Sequence, residues 1–414
     1  MIAPDPPQRR IQPPATLAAG APAAVLAALP GARAVGGAVR DTLAGRPIQD
    51  VDIAVPLPPE AAAQRLRAAG LKVFETGLAH GTVTAVLGGQ PVEVTSLRRD
   101  VVTDGRHAEV AWTTDWREDA ARRDFTINAM SLSAAGELWD YFGGAEDLAA
   151  GQVRFVGDPA TRLAEDYLRA LRFFRFQARY GRGAPDAAAV AAIRDAVPGL
   201  ARLSVERVWM ELKRLLAAPE PGAALALMAK TGVLTSPHVL GEGCDLPRLQ
   251  RLLALGAPLR VMLRLAALAP MGQPGGPAGW AAALATRLKL SAEERLALLR
   301  RAGAVPPPAP ELEGAALRRW LFTAAGEGKA DPALPEDLAW LAEAADGADR
   351  AALRARLAAT PVPVFPLQGR DALALGMAPG AAMGRALQAV RAWWLEGGCT
   401  ADHAACLEEL RRLG

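Results

Sequence analysis

The spacing of apolar residues changes character near residue 160. Before it, short apolar runs separated by glycine, proline and polar clusters predict strands over residues 33–35, 50–55, 72–75, 82–87 and 92–96. The last two flank Gly88-Gly89-Gln90, which reads as a hairpin turn. Helices are expected over residues 16–29, after Gly37, and over 59–69, while residues 100–120, with Asp104-Gly-Arg-His107, read as a polar loop. Beyond 160 nearly everything carries helical spacing, most clearly 162–180, 204–217 with Ser204 as N-cap, and 221–231. Linker signals occur at 271–277 and 306–310, and no fixed-period repeat is present. The pattern predicts an α+β protein, a small mixed-sheet head followed by an all-helical remainder.

At 414 residues the chain is too long for one typical core, so several modules are expected. The boundaries fall at 1–30 for a lead and helix, 31–150 for the head, then 151–218, 219–304 and 305–414 for successive helical parts. Apolar residues make up 51% but aromatics only 5%; the excess is alanine and leucine, which favour helix. Net charge is +3, so any nucleic-acid surface must come from local clustering, and the basic residues are almost all arginine. Cys244, Cys399 and Cys406 are widely spaced, with no CxxC pair to suggest zinc and no disulfide framework. The first residues contain no apolar signal-peptide core, and no run approaches the ~20 apolar residues of a membrane span, so a reducing cytoplasm and no membrane partner are expected.

The chemistry concentrates in a few segments. Ala34-Val-Gly-Gly-Ala-Val-Arg-Asp41 precedes Asp50-Val-Asp-Ile-Ala-Val55. A glycine turn can hold a triphosphate, and two aspartates on one side of a strand can hold its metal. Side-by-side carboxylates repel unless a cation lies between them, and Mg²⁺ takes hard oxygen ligands together with phosphates. Taken alone, Asp-x-Asp is more often a solvated strand end and Gly-Gly a simple turn; together between apolar strands they point to phosphoryl chemistry. Glu93 is a possible third carboxylate, with an outward-facing strand glutamate the equal alternative. Arg122-Arg-Asp-Phe-Thr-Ile-Asn-Ala129 offers guanidinium forks for phosphate or ribose, and Asp124 an acceptor for a ribose hydroxyl; a surface ion pair before a core strand is the alternative.

In Glu165-Asp-Tyr-Leu-Arg169, a helix would put Asp166 and Arg169 on one face, where acceptor beside donor matches the edge of cytosine or adenine and mismatches uracil and guanine. Arg172 and Arg175 continue the three-residue spacing and drift about 60° per step, so the arginines fan out. Residues 162–182 hold six arginines against two acids, which periodicity alone also allows as a solvated amphipathic helix. Glu206 and Arg207 are candidates to brace that helix, without assigned chemistry. His80 and His107 read as polar loop contacts.

In order along the chain, Gly-Gly-x-x-Arg-Asp, Asp-x-Asp, Arg-Arg-Asp-Phe-Thr-Ile-Asn-Ala, Gly157-Asp-Pro with Glu-Asp-x-x-Arg, and Leu203-Ser-Val-Glu-Arg207 resemble the class II tRNA nucleotidyltransferases. That family holds the CCA-adding enzymes and bacterial poly(A) polymerases within the DNA polymerase β-like superfamily. The resemblance implies a nucleotidyltransferase head followed by helical neck, body and tail. It implies Mg²⁺ on Asp50 and Asp52, and a nucleotide held by Gly36, Gly37, Arg40, Arg123, Asp124 and Asn128. It further implies selection of CTP or ATP by Asp166 and Arg169, with Arg172 and Arg175 beside them. The segment 104–116 would be the flexible loop of the C-to-A switch. Residues 365–384 look like the family's tail, where a glycine turn between helices can offer N–H groups to RNA phosphate, a helix C-cap and turn being the even alternative.

The implied partners are the tRNA 3′ end, CTP and ATP, with no obligate protein partner. Ala79-His-Gly-Thr-Val-Thr84 stands where poly(A) polymerases of the family carry a Gly-Arg-Arg-Phe-Arg-Leu-type segment, which favours the CCA-adding form. A poly(A) polymerase, a CC-only or A-only enzyme, and a non-catalytic RNA-binding protein are the alternatives.

Overall fold

The computed structural model describes residues 5–78, 81–103, 108–272, 274–303, 308–326 and 331–413. The chain divides into two units, Met1–Glu242 and Gly243–Gly414. The first is built on strands β1 (Arg9–Arg10), β2 (Arg33–Val35), β3 (Asp52–Val55), β4 (Lys72–Gly77), β5 (Thr82–Leu87), β6 (Gln90–Ser96), β7 (Arg98–Thr103), β8 (Ala108–Trp112), β9 (Met130–Leu132) and β10 (Glu137–Asp140). Eight of these form one mixed sheet in the order β1-β10-β9-β2-β3-β6-β5-β4, and β7 pairs with β8 separately.

Alternation along β3 explains the layering. Ile53 and Val55 are fully buried with Val83, Ala85, Val92 and Val94 beneath the helices Gly20–Ala28 and Pro59–Ala68. Ala54 faces the opposite side, packed with Val35, Leu97 and Trp116. Each such aliphatic side chain contributes about 1.5–3 kcal/mol on burial, so register in the central strands is strongly held. The hairpin expected at Gly88–Gly89 is present: Leu87 pairs with Gln90, and both glycines have positive φ (58° and 82°), as a tight two-residue turn demands.

Several local expectations are corrected. The strand expected over 50–55 begins at Asp52, leaving Asp50 before it and exposed. The helix expected over 16–29 is split into Ala15–Ala18 and Gly20–Ala28. Gly20 sits at φ 65°, and a Cβ there would lie 2.5 Å from the Gln90 amide oxygen that accepts from Ala21 N–H. The polar loop expected over 100–120 holds most of the β7–β8 ladder, with Arg98 opposite Trp112 and Thr103 opposite Ala108, followed by the helix Trp116–Ala121 capped by Asp115. Residues 104–107 of the expected switching loop, His107 among them, and Ala79 and His80 of the subfamily segment lie outside the described residues, as do parts of both expected linkers. Strands β1, β9 and β10 went unread; they are only two to four residues long, too short for a period to show.

The helix expected over 162–180 is two helices, Pro159–Glu165 and Leu168–Tyr180, broken at Asp166, whose backbone is extended (φ −157°, ψ 106°). Phenylalanines anchor the second of these. The Phe125 ring centroid lies 4.9 Å from Phe155, 6.3 Å from Phe173 and 5.2 Å from Phe176, all buried. Ser204 takes the N-cap position of Val205–Leu216 without making a side-chain capping bond.

Every regular element among the described residues of the second unit is a helix. Its Leu334–Asp346 helix buries Asp337 completely, between Arg260 (2.5 Å) and Arg301 (2.7 Å). Near its end, residues 375–380 turn between the helices Gly369–Ala374 and Ala381–Glu396, with Gly376 at φ 84°. Among the described residues no helix is long and apolar enough to cross a membrane.

Candidate active site

Topology brings the glycine turn and the carboxylates to one end of the sheet. β2 runs antiparallel to β3 with Val35 opposite Asp52, so the chain leaving β2 enters Gly36 beside the start of β3. Gly36 has φ 63° and ψ −120°, a conformation open to glycine, and it caps the helix Gly37–Leu43. A Cβ at Gly36 would stand 3.4 Å from Arg123 Nη1. β6 runs parallel to β3 on its other side and places Glu93 opposite Asp52.

None of Asp50, Asp52 and Glu93 forms an ion pair among the described residues. Burial against the sheet raises the Asp52 pKa, Glu93 and Asp50 push it further up, and Arg123 opposes them. Burial and the neighbouring carboxylates together outweigh Arg123 at this position. No three His, Cys, Asp or Glu side chains among the described residues form a complete metal-binding group. Asp50, Asp52 and Glu93 offer oxygen donors, which suit a hard divalent cation.

The opposite wall is cationic and already tied down. Gly36, Gly37, Arg40, Asp52, Arg123, Asp124, Asn128, Asp166, Arg169 and Arg172 line one open cleft of about 510 Å³. Asp50 and Glu93 line the adjoining depression, which shares Asp52 with it. Arg175 lines neither.

Arg40 is bidentate to Asp41 (3.2 and 3.0 Å) and donates to the Asn128 side-chain oxygen (2.6 Å). Asn128 Nδ2 donates to Asp124 (2.9 Å), and Asp124 takes both Nε and Nη2 of Arg172 (2.7 and 2.6 Å). Arg172 also faces Glu211 at 3.7 Å, and Glu211 binds Arg175 at 2.6 Å. Burial alone would raise the Asp124 pKa, but Arg172, Asn128 and the Phe125 N–H hold it below the ordinary carboxylate range. Asp124 is only 8% exposed, so its place here is the hub of a network and not a surface ion pair. Arg123 is held by Asp119 (3.1 Å).

Asp166 and Arg169 both face the cleft, but not as a pair on one helix face. Asp166 lies in the break, where one carboxylate oxygen accepts from Leu168 N–H (3.0 Å) and the other from Arg207 (2.6 Å). Arg169 is paired with Glu165 and donates to the Arg162 and Arg122 carbonyls (2.9 and 3.2 Å). Each is thus held by its own partners, leaving an acceptor and a donor side by side without cancelling one another. Arg207, expected only as a brace for the preceding helix, holds Asp166, and Glu211 is the neighbour that spacing did not reveal. They lie 41 and 36 residues from their partners, and only the packing of Val205–Leu216 against Leu168–Tyr180 brings them in.

Comparison with known proteins gives the same assignment. Residues 32–154 match the sequence profile described as the poly A polymerase head domain, and residues 185–239 match that described as the probable RNA and SrmB-binding site of polymerase A. A zebrafish (Danio rerio) protein named CCA tRNA nucleotidyltransferase 1, mitochondrial, is 46% identical over 214 residues, 51% of this chain and 50% of that one. The CCA-adding enzyme of Geobacillus thermodenitrificans is 42% identical over 210 residues, 50% of this chain and 51% of that one. These alignments span about half the length of the relatives they match. The crystal structure of the Bacillus stearothermophilus CCA-adding enzyme in complex with CTP superposes with a TM-score of 0.69 at 28% identity, over 97% of this chain and 98% of that one. The two profiles lie in sequence order on the head and the helices after it, and the fold is shared along the chain, so this protein carries a poly A polymerase-type head domain and is similar to the CCA-adding enzymes.

Proposed function

We propose that the protein adds C, C and A to the 3′ end of tRNA from CTP and ATP, releasing pyrophosphate. The observation that carries this reading is the convergence, on one cleft, of an unneutralised carboxylate edge at Asp52 and a wall of tethered arginines ending in Asp166 and Arg169. The similarity to CCA-adding enzymes supports it. The 3′ oxygen attacks the α-phosphorus in line, the bond to the β-phosphate breaks, and pyrophosphate leaves. Asp50 and Asp52 would hold Mg²⁺, with Glu93 within reach as a further carboxylate. The chemistry such an ion supplies when bound is a lower pKa for the attacking hydroxyl and neutralisation of charge on the departing pyrophosphate.

This chain's own residues do the positioning. Gly36 and Gly37 let backbone approach the triphosphate where the first N–H groups of a helix lack intrahelical partners. Arg40 and Arg123 add guanidinium donors whose directions are set by Asn128 and Asp119. Asp124 fixes Asn128 and Arg172, and Glu211 fixes Arg175. Asp166 and Arg169 read the Watson–Crick edge of the incoming base. Such preorganisation means that little reorientation is needed during the reaction. The head is taken as 31–150, the neck as 151–218, the body as 219–304 and the tail as 305–414. Three thiols free of disulfides fit a reducing compartment, and the cytoplasm is proposed.

The test is incubation with Mg²⁺ and tRNA transcripts ending before CCA, after C and after CC, supplied with CTP, ATP or both and sized at single-nucleotide resolution. Addition of C, C and A followed by a stop is expected. A long A ladder would identify a poly(A) polymerase, addition limited to CC or A would identify one half of a divided activity, and no Mg²⁺-dependent addition would leave an RNA-binding protein.

A further inference from the structure

A second cleft, of about 580 Å³, opens at the C-terminal end of the Gly37–Leu43 helix, roughly 10 Å along that helix from the glycine turn. Arg9 from β1, Arg46 after the helix, and Arg179 and Arg182 at the end of Leu168–Tyr180 all line it. All four are exposed, and none is ion-paired to a carboxylate among the described residues. The anchors are of another kind. Arg46 donates to the Arg179 carbonyl (2.7 Å), and Arg182 donates to the Ala149 carbonyl (2.5 Å). The guanidinium carbons of Arg46 and Arg179 lie 4.8 and 5.8 Å from the Tyr180 ring centre. Carbonyls and a ring orient these arginines without neutralising them.

The contrast with the same helices a few turns away is direct. Arg162, Arg169, Arg172, Arg175, Arg207 and Arg214 all pair with carboxylates. Against the four cations of the second cleft, Glu220 is the only acid in its lining. A concave surface lined by one sign of charge concentrates counter-charge, and guanidinium forks match phosphate oxygens. Tyr180 is buried and its hydroxyl is committed to Asp41 (2.5 Å), so the cleft presents no open ring for a base to stack on. Phosphate contact without base reading follows. The cleft lies outside residues 185–239 except at Pro219 and Glu220.

We propose that this cleft is a second RNA-backbone site, which holds phosphodiesters of the polynucleotide substrate away from the reacting 3′ end. The proposal rests on the RNA-directed function above. Its test is binding of a tRNA transcript lacking CCA to the full chain, measured by fluorescence anisotropy across salt concentrations, for wild type and for the Arg9→Glu/Arg179→Glu double variant. Neither substituted side chain donates a hydrogen bond to the protein. RNA affinity is expected to fall tenfold or more, and the slope of log K against log salt to flatten by about two, one per lost phosphate contact. CTP binding and thermal stability measured alongside are expected to hold. Unchanged RNA affinity and slope would overturn the proposal, as would an equal loss of CTP binding, which would mean a free-nucleotide site or a disturbed fold. Wild-type protein that binds RNA through this cleft yet adds no nucleotide would refute the transferase reading and leave this one standing.

Discussion

The two walls of the active cleft solve opposite electrostatic problems. On the sheet edge, Asp50, Asp52 and Glu93 make no ion pair among the described residues, and burial together with the neighbouring Glu93 and Asp50 raises the pKa of Asp52 against the pull of Arg123. On the helical wall, Arg40, Arg123, Arg169 and Arg172 are each bound to a carboxylate of the protein, Arg40 and Arg172 within one chain running from Asp41 to Glu211. One wall carries carboxylates with no counter-charge paired to them among the described residues, which is why a cation is proposed there. The other is complete beforehand, and its donors are aimed because their counter-charges are covalently fixed. Charge left unpaired marks where a ligand supplies the balance, and charge already paired marks where geometry is held.

The sharpest way to break this contrast is on the unpaired wall. Asp52→Ala or Asp50→Ala is expected to lower nucleotide addition roughly a thousandfold or more, with no loss of thermal stability, because the removed charge had no protein partner to strand. Wild-type addition rates by either variant on a sizing gel would remove the metal assignment.

On the paired wall the same kind of change should instead be felt in the fold. Asp124→Ala strands Arg172 and one side of Asn128, and is expected to cost about 3 kcal/mol by urea denaturation. The depressed pKa of Asp124 sets the pH dependence: its contribution is present above the unfolded value near 4 and is lost as pH falls through the lower folded value. The gap between wild type and variant should therefore shrink on acidification below about pH 4; a gap constant from pH 7 to 3 would show that Asp124 does not carry the network as an anion.

A smaller effect is expected where the paired wall meets the base. Asp166→Ala or Arg169→Ala should reduce discrimination of CTP and ATP against UTP and GTP by about tenfold or more, read as ratios of kcat/KM. Intact selectivity in both would refute base reading by these groups. Arg207→Ala is the mildest change. Its side chain is 41% exposed, so its ion pair is worth at most about 1 kcal/mol of stability, and selectivity should slip only a few-fold as Asp166 loses one of its two tethers. A larger loss than in Asp166→Ala would give Arg207 a direct contact with the nucleotide.

Much of this was open to reading from local pattern. Short-range periodicity located the central strands β2, β3, β5 and β6, the tight Gly88–Gly89 turn and the helical second half, because each is held by residues a few positions apart. The motif residues Gly36, Asp52, Arg123, Asp166 and Arg169 could be named for the same reason, since each chemistry sits within a segment of a few residues. What pattern missed was interruption: the break at Asp166, the start of β3 at Asp52, and the β7–β8 ladder within an expected loop. Extended backbone at one residue leaves no periodic trace, and the polar Asp104-Gly-Arg-His107 between the two short strands made their ladder read as a loop.

Composition and local spacing by themselves determined that this is an α+β chain with a glycine turn, a nearby Asp-x-Asp pair and a strip of arginines. Tertiary structure alone decided which charges cancel. Asp124 with Arg172, Asp166 with Arg207 and Arg175 with Glu211 are separated by 48, 41 and 36 residues, and nothing in a local window links them. It also separated Arg172 and Arg175, which are paired with carboxylates, from Arg179, which is left open on the same helix. Electrostatic energy depends on distance through space, and a sequence orders its charges only along the chain.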